Sequence, residues 1–265
     1  MNTVSISRFT PSTMSAELLE RLFVVRKPIL EALMKRVKAL GRTPSPHHTL
    51  LVGPRGAGKT HLISLVYHRC KSLGKAGDGK PLRIAWLPED PWTLVSYGRL
   101  LAAILERVVP DFDNQKIAEP ELDAHIRHTS REDGPILVLA ENLDQILEAL
   151  GDSGQQKLRN LLQTEPGILI IASTTRLDRS LSSHAAPFFG FFDTIRLDPF
   201  SPEEAREMLT TLAREANNSE LAKRLSDNES LARIHTIAHL AGGQPRLWAL
   251  LGSALTVEDL RDLTT

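Results

Sequence analysis

A chain of 265 residues with 42% hydrophobic content can build one large domain, or a core domain with a smaller second one. Its 32 lysines and arginines balance 32 aspartates and glutamates, which excludes a global electrostatic footprint for nucleic acid or an acidic membrane and leaves only local basic patches. Cys70 is the single cysteine, so an intramolecular disulfide and a cysteine-rich metal site are excluded, and a reducing, cytoplasmic setting is expected.

The N-terminal stretch MNTVSISRFTPSTMSAELLERLF has no basic segment followed by a long apolar run, so no secretion signal is expected. No uncharged apolar run approaches the length of a membrane span, and no membrane partner is expected. SAELLERLFVVRKPILEALMKRVKAL places apolar residues three and four apart and predicts one or two helices that end before the proline-rich connector GRTPSPHH. HHTLLVG predicts a short buried strand. Further strand-like runs occupy 82–87, 135–140, 167–173 and 192–197, separated by helical patterns. That alternation predicts a parallel sheet covered on both faces. From Ser201 onward the segments are helical without a strand candidate, and SPEE supplies a serine cap, a first-turn proline and acids at the positive end of the dipole. The expected organisation is a helical lead-in over 1–46, an α/β core over 47–200 and a small helical domain over 201–265.

LLVGPRGAGKTHL, residues 51–63, contains Gly53, Gly56, Gly58, Lys59 and Thr60 in the pattern G-x-x-x-x-G-K-[ST]. In this P-loop pattern the glycines permit positive φ and let backbone N–H groups approach a triphosphate, with no Cβ in the way. Lys59 is expected at the β- and γ-phosphates, the Thr60 hydroxyl at magnesium, and the start of the following helix points its dipole at the anion. The candidate nucleotide contacts are therefore Gly53, Pro54, Arg55, Gly56, Ala57, Gly58, Lys59, Thr60 and His61. A strand before the loop and a helical pattern after it supply the context that the motif requires.

Such a loop needs a second strand ending in acids. ILVLAENLDQIL, residues 136–147, places Glu141 at the metal side, Asn142 where a base usually stands and Asp144 nearby; a slip of one residue would put Ala140 at the metal side and Glu141 at the base. Either register loses one carboxylate. An asparagine orients a water but takes no proton, so slow hydrolysis is expected. ILIIASTTRLD, residues 168–178, ends in hydroxyls, with Thr175, or failing that Thr174, as a γ-phosphate or water contact. Arg246, in GGQPRLWALL, is a cation in the first turn of a helix, where it opposes the dipole and suits an anionic ligand.

Together these stretches resemble AAA+ ATPases, in the branch of replication-initiator, transposon-regulator and STAND-type switch ATPases. FVVRKPILEALMKRV is similar to the FVGRExEL segment that opens those modules, with Val25 in place of the usual glycine. VLAENLDQIL resembles VLIDELDxL, ASTTRLD falls at the sensor-1 strand end, and GGQPR matches the sensor-2 GxPR that carries Arg246. The resemblance spans roughly Leu22 to Leu251. It implies a P-loop NTPase three-layer sandwich with a five-stranded parallel sheet in the order 5-1-4-3-2, followed by a helical lid. The implied cofactors are ATP and Mg2+, the implied metal residues Thr60 and Glu141, and the implied catalytic residues Glu141, Asn142, Asp144, Thr175 and Arg246. It also implies a homo-oligomer or a separate effector protein as partner, and admits DNA. HAAPFFGFFDTIRL lacks an arginine where the family's finger often stands, leaving Arg176 and Arg179 as substitutes.

Other features weigh less. His47, His48, His61, His68, His235 and His239 lack the acid or cysteine that would complete a zinc set. The lysines between Lys71 and Lys80 suit a solvated rim or a phosphate backbone, and Phe188, Phe189, Phe191 and Phe192 suit core or a partner loop. The expected function is an ATP-dependent switch or assembly subunit with slow hydrolysis, in DNA transactions by resemblance; the alternative is an ATP-stabilised adaptor that does not hydrolyse. The GxPR lid argues against a small-molecule kinase.

Overall fold

The structure is a computed structural model that describes residues 11–87, 94–113, 117–177 and 179–258, without the side chains of 179, 228, 229 and 239–241. The chain divides into two compact units. A sheet unit takes 30–53 and 66–196; a helical unit takes the chain up to Ile29, Pro54–Leu65 and the chain from Leu197 onward.

The sheet unit contains β1 (Thr49–Val52), β2 (Arg83–Trp86), β3 (Ile136–Ala140), β4 (Ile168–Thr174) and β5 (Asp193–Arg196) in the order β2-β3-β4-β1-β5. Every neighbouring pair is parallel, so read from the β5 edge this is the expected 5-1-4-3-2 sheet. Each residue of β1, β3 and β4 is buried. That is why TLLV, ILVLA and ILIIAST are continuous runs and not alternating ones: helices flank the sheet and neither face of these inner strands meets water. The edge strand β5 carries the polar residues Asp193, Thr194 and Arg196 on exposed positions.

Helix α4 (Tyr97–Val108) is capped by Ser96, whose Oγ accepts the Arg99 N–H at 3.3 Å, and buries Leu101, Leu105 and Val108 along one stripe. It packs against β2 and α5 (Glu119–His128). A π-helical turn over Thr129–Asp133 follows and closes on Gly134, at φ 134°. Helix α6 (Leu143–Thr164) breaks at Gly151 (φ 60°, ψ 177°), and Gln155 Nε2 donates to the Leu147 carbonyl at 2.8 Å across the break. Just before β4, the Glu165 carboxylate is 0% exposed and accepts from Arg127 at 2.8 Å and Arg131 Nε at 2.9 Å. A short α7 (Arg179–Ser182) precedes β5. Phe188 is buried in the core, with Phe191 and Phe192 packed against it, while Phe189 is exposed.

In the helical unit the predicted lead-in resolves into two helices, α1 (Ala16–Leu22) and α2 (Lys27–Ala39), the latter running on into the sheet unit. The residue between them, Arg26, is left-handed at φ 67°. α3 (Lys59–Leu73) also begins in this unit. The C-terminal segments form α8 (Pro202–Glu215), α9 (Ser219–Leu225), α10 (Asn228–Ala241) and α11 (Pro245–Ala254). Their core is built from Leu209, Leu221, Leu225, Ile234 and Trp248. SPEE is a full capping box: Ser201 Oγ accepts the Glu204 N–H at 3.2 Å, and the Glu204 carboxylate accepts the Ser201 N–H at 2.8 Å. Arg21 of α1 pairs with Glu215 of α8 at 3.0 Å.

Candidate nucleotide-binding site

The glycine-rich loop leaves the end of β1. Gly53, still in the sheet unit, donates its N–H to the Thr174 carbonyl at 3.3 Å; from Pro54 the loop belongs to the helical unit. Gly56 and Gly58 stand at φ 81° and 87°, conformations that an L side chain rarely adopts, so the motif glycines are required by the backbone. Ala57 N–H bonds back to the Pro54 carbonyl at 3.1 Å, which curls the loop, and α3 starts at Lys59. Lys59 is 8% exposed, and its Nζ donates to the Pro54 carbonyl at 3.0 Å. The cation is thus already held inside the curve of the loop. Thr60 follows in the first turn, half-buried.

Two other segments of the same unit meet this loop. Arg246 donates its backbone N–H to the Gly56 carbonyl at 3.2 Å, and a Cβ at Gly56 would lie 2.9 Å from Arg246 Cβ. Gly243, at φ 68°, lets the GGQP turn approach Phe200, whose N–H bonds to the Gly243 carbonyl at 2.7 Å. Among the described residues the Arg246 guanidinium has no hydrogen-bond or ion-pair partner, although it is an exposed cation in the first turn of α11. Beside the loop lies a largely apolar recess lined by Leu22, Val25, Gly58, Leu62, Phe200 and Pro245, among others. His61 also lines this recess: its Nε2 meets the Leu19 carbonyl at 3.0 Å and its ring tilts against Phe23. Burial lowers its pKa, against the opposing pull of that carbonyl. Its Nε2 is therefore engaged by α1 while the ring forms part of the recess wall.

In the sheet unit the parallel pairing brings the ends of β3, β4 and β1 side by side along one edge of the sheet. Glu141 directly follows β3 and is 6% exposed. Asn142 is left-handed (φ 51°, ψ 49°) and stands at the cap position of α6. Asp144 lies in the first turn of that helix, and its Oδ1 is buried without a hydrogen-bond partner among the described residues. β4 runs to Thr174, whose hydroxyl donates to the Arg176 carbonyl at 2.9 Å; Thr175 lies one residue past the strand, half-buried. Arg176 is exposed after the strand, and the side chain of Arg179 lies outside the described residues, as does that of His239. No group of three or more His, Cys, Asp or Glu able to hold a metal occurs among the described residues.

The fit to a nucleotide rests on the left-handed glycines, the buried amine of Lys59 and the apolar recess beside the loop. Motif reading did not find the recess, because its lining comes from distant stretches, nor Arg26, whose Nη1 donates to the Ala57 carbonyl. The one available signal for both was the FVVRK segment.

No family model matches the sequence, and no curated protein matches it. Solved structures match in fold. The Aeropyrum pernix ORC1 protein in complex with DNA is 19% identical at TM-score 0.54, covering 74% of this chain and 53% of that one. The Aeropyrum pernix ORC2 protein in ADPNP-ADP complexes is 15% identical at 0.58, covering 72% and 52%. C. elegans PCH-2 is 15% identical at 0.60, covering 94% and 69%. The chain thus spans about half the length of the ORC1 and ORC2 chains that it matches. At these identities the likeness shows the fold alone: the parallel five-stranded α/β sheet with flanking helices that these structures share. No helix among the described residues is long and apolar enough to cross a membrane.

Proposed function

We propose that the chain binds Mg-ATP at its P-loop and acts as a nucleotide-dependent switch or assembly subunit with slow hydrolysis. The observation that carries this reading is the loop itself: two left-handed glycines, an enclosed Lys59 and Arg246 bonded through its backbone to Gly56 within one compact unit. Residues 47–200 are read as the ATPase core and 201–265 as its lid. Bound Mg-ATP would supply a polarised γ-phosphoryl group for attack by water. Backbone N–H groups of Gly56 and of Gly58 to His61 would bind the phosphates, the Ala57 N–H being held by the Pro54 carbonyl, and Lys59 would neutralise them. Thr60 and Glu141 are assigned to the metal on their motifs. Arg246, whose guanidinium has no partner among the described residues, would report the γ-phosphate. Asn142 would orient the water without accepting its proton, and Asp144 and Thr175 would support that arrangement.

A non-hydrolysing, ATP-stabilised adaptor is the second reading, and Asn142 favours it. A cytoplasmic setting, self-association or a separate effector, and engagement of DNA belong to the proposal; for DNA the support is that the ORC1 protein of this fold is described in complex with it.

The test is binding of Mg-ATP by calorimetry together with steady-state phosphate release over a range of protein concentrations, with Lys59→Ala as the blank. The parent should bind and the variant should not, at unchanged circular dichroism. Equal binding by Lys59→Ala would refute the proposal. A rate per subunit that rises with concentration would support assembly, and binding without release would support the adaptor.

A further inference from the structure

Arg26 is left-handed, a conformation that costs a side-chain-bearing residue of order 1 kcal/mol and persists only where surrounding contacts hold it. Here those contacts are explicit. Nη1 donates to the carbonyl of Ala57 inside the P-loop, and Nη2 donates to the carbonyl of Asp198, ahead of α8. The guanidinium lies over the Phe200 ring, 4.9 Å from its centroid. Burial penalises this cation, while Glu204 and Asp198 favour it. A charge kept there against desolvation has a task that a neutral side chain would not perform.

The peptide geometry indicates the task. In a trans peptide the C=O of one residue and the N–H of the next point in opposite directions, and rotating one rotates the other. The Ala57 carbonyl and the Gly58 N–H belong to the same peptide plane. Among the described residues none accepts the Gly58 N–H. Gly58 is left-handed, and a Cβ there would lie 3.5 Å from Arg26 Nη1, so the guanidinium occupies one side of this plane.

We infer that Arg26 is a positioning residue for phosphate binding: by holding the Ala57 carbonyl it turns the Gly58 N–H to the opposite side, ready to donate to a nucleotide phosphate oxygen. Its second hydrogen bond ties the same peptide to the segment that leads into α8, so the aim of the amide depends on that segment. The inference rests on the nucleotide-binding reading. It adds a residue outside the glycine-rich motif whose effect on the ligand passes through a backbone amide.

The experiment measures Mg-ADP and Mg-ATP affinity by calorimetry in the parent, Arg26→Ala and Arg26→Lys, with the Gly58 amide resonance followed in 15N-labelled chain. Lysine keeps the charge but offers a point donor in place of a fork, so it should not restore the two-carbonyl bridge. Both variants should weaken Mg-ADP and Mg-ATP by tenfold or more and to the same extent, because the phosphates bound by the loop amides are common to both. The Gly58 resonance should shift on nucleotide addition in the parent and not in the variants. Should Arg26→Ala fail to fold, Arg26→Lys carries the test. A folded Arg26→Lys that binds within twofold of the parent, with the same Gly58 shift, overturns the inference. A parent that binds no nucleotide overturns the nucleotide reading and this inference with it, so the two failures are told apart.

Discussion

Acidification should destabilise the sheet unit through one histidine. His48, 5% exposed, immediately precedes β1, and its Nδ1 accepts the backbone N–H of Ile170 in β4 at 3.1 Å. A backbone hydrogen bond to Leu162 engages the ring as well, and the ring stacks on Phe191 at 5.0 Å. With Nδ1 accepting and the other nitrogen donating, both sites of the neutral imidazole are filled. Protonation would place a second donor against the Ile170 N–H and a charge in an apolar site. Burial accordingly lowers the pKa from 6.5 to about 4, helped by neighbouring His47 and opposed by the Leu162 bond and Asp193.

The folded state therefore binds fewer protons than the unfolded one, so the stabilisation is complete above pH 6.5 and is lost progressively as the pH falls from 6.5 to 4. One pKa unit corresponds to 1.36 kcal/mol, so this single group should remove about 2 kcal/mol by pH 5 and about 3 kcal/mol by pH 4. Urea unfolding followed by circular dichroism between pH 8 and pH 4 measures it, with His48→Asn as the reference. Asparagine can present Oδ1 to the Ile170 N–H but does not titrate. Carboxylates common to both chains cancel in the difference, which should shrink as the pH falls. If parent and His48→Asn lose stability in parallel across this range, the assigned role of His48 is wrong.

Two further outcomes are expected. Glu165→Gln should lower unfolding free energy by about 2 kcal/mol in urea titrations at pH 7, less than the 3–5 kcal/mol typical of breaking a fully buried pair, because Arg131 is 60% exposed and can rehydrate. Asn142→Asp should raise steady-state phosphate release roughly a hundredfold at little change in stability, since a carboxylate can take a proton and aspartate tolerates the left-handed backbone; Asn142→Glu should bring the same chemistry but lose about 1 kcal/mol to the backbone. Unchanged release from an ATP-binding Asn142→Asp chain would show that the missing carboxylate does not limit hydrolysis.

The sheet was legible because burial on both faces forces inner strands into continuous apolar runs, and β1, β3 and β4 are such runs. The P-loop and the α8 cap were legible for a related reason, since each is a local device whose geometry selects residue types at fixed spacing. What escaped is non-local or conformational. The break in α6 has no mark in the apolar period, which runs unchanged through Gly151, and the role of Arg26 depends on three segments far apart in sequence.

Asn142 lies between these cases. Read by motif, it is a lost base and implies slow chemistry. Read by backbone, it is a residue suited to a left-handed position at the start of α6, where a glutamate would be strained. The two readings part at aspartate, which satisfies the backbone as well as asparagine does and restores a carboxylate. If conformation alone governed the position, aspartate would have served equally. Comparing asparagine with aspartate at this position therefore separates the demand of the backbone from the proposed loss of a base, without the strain a glutamate would bring.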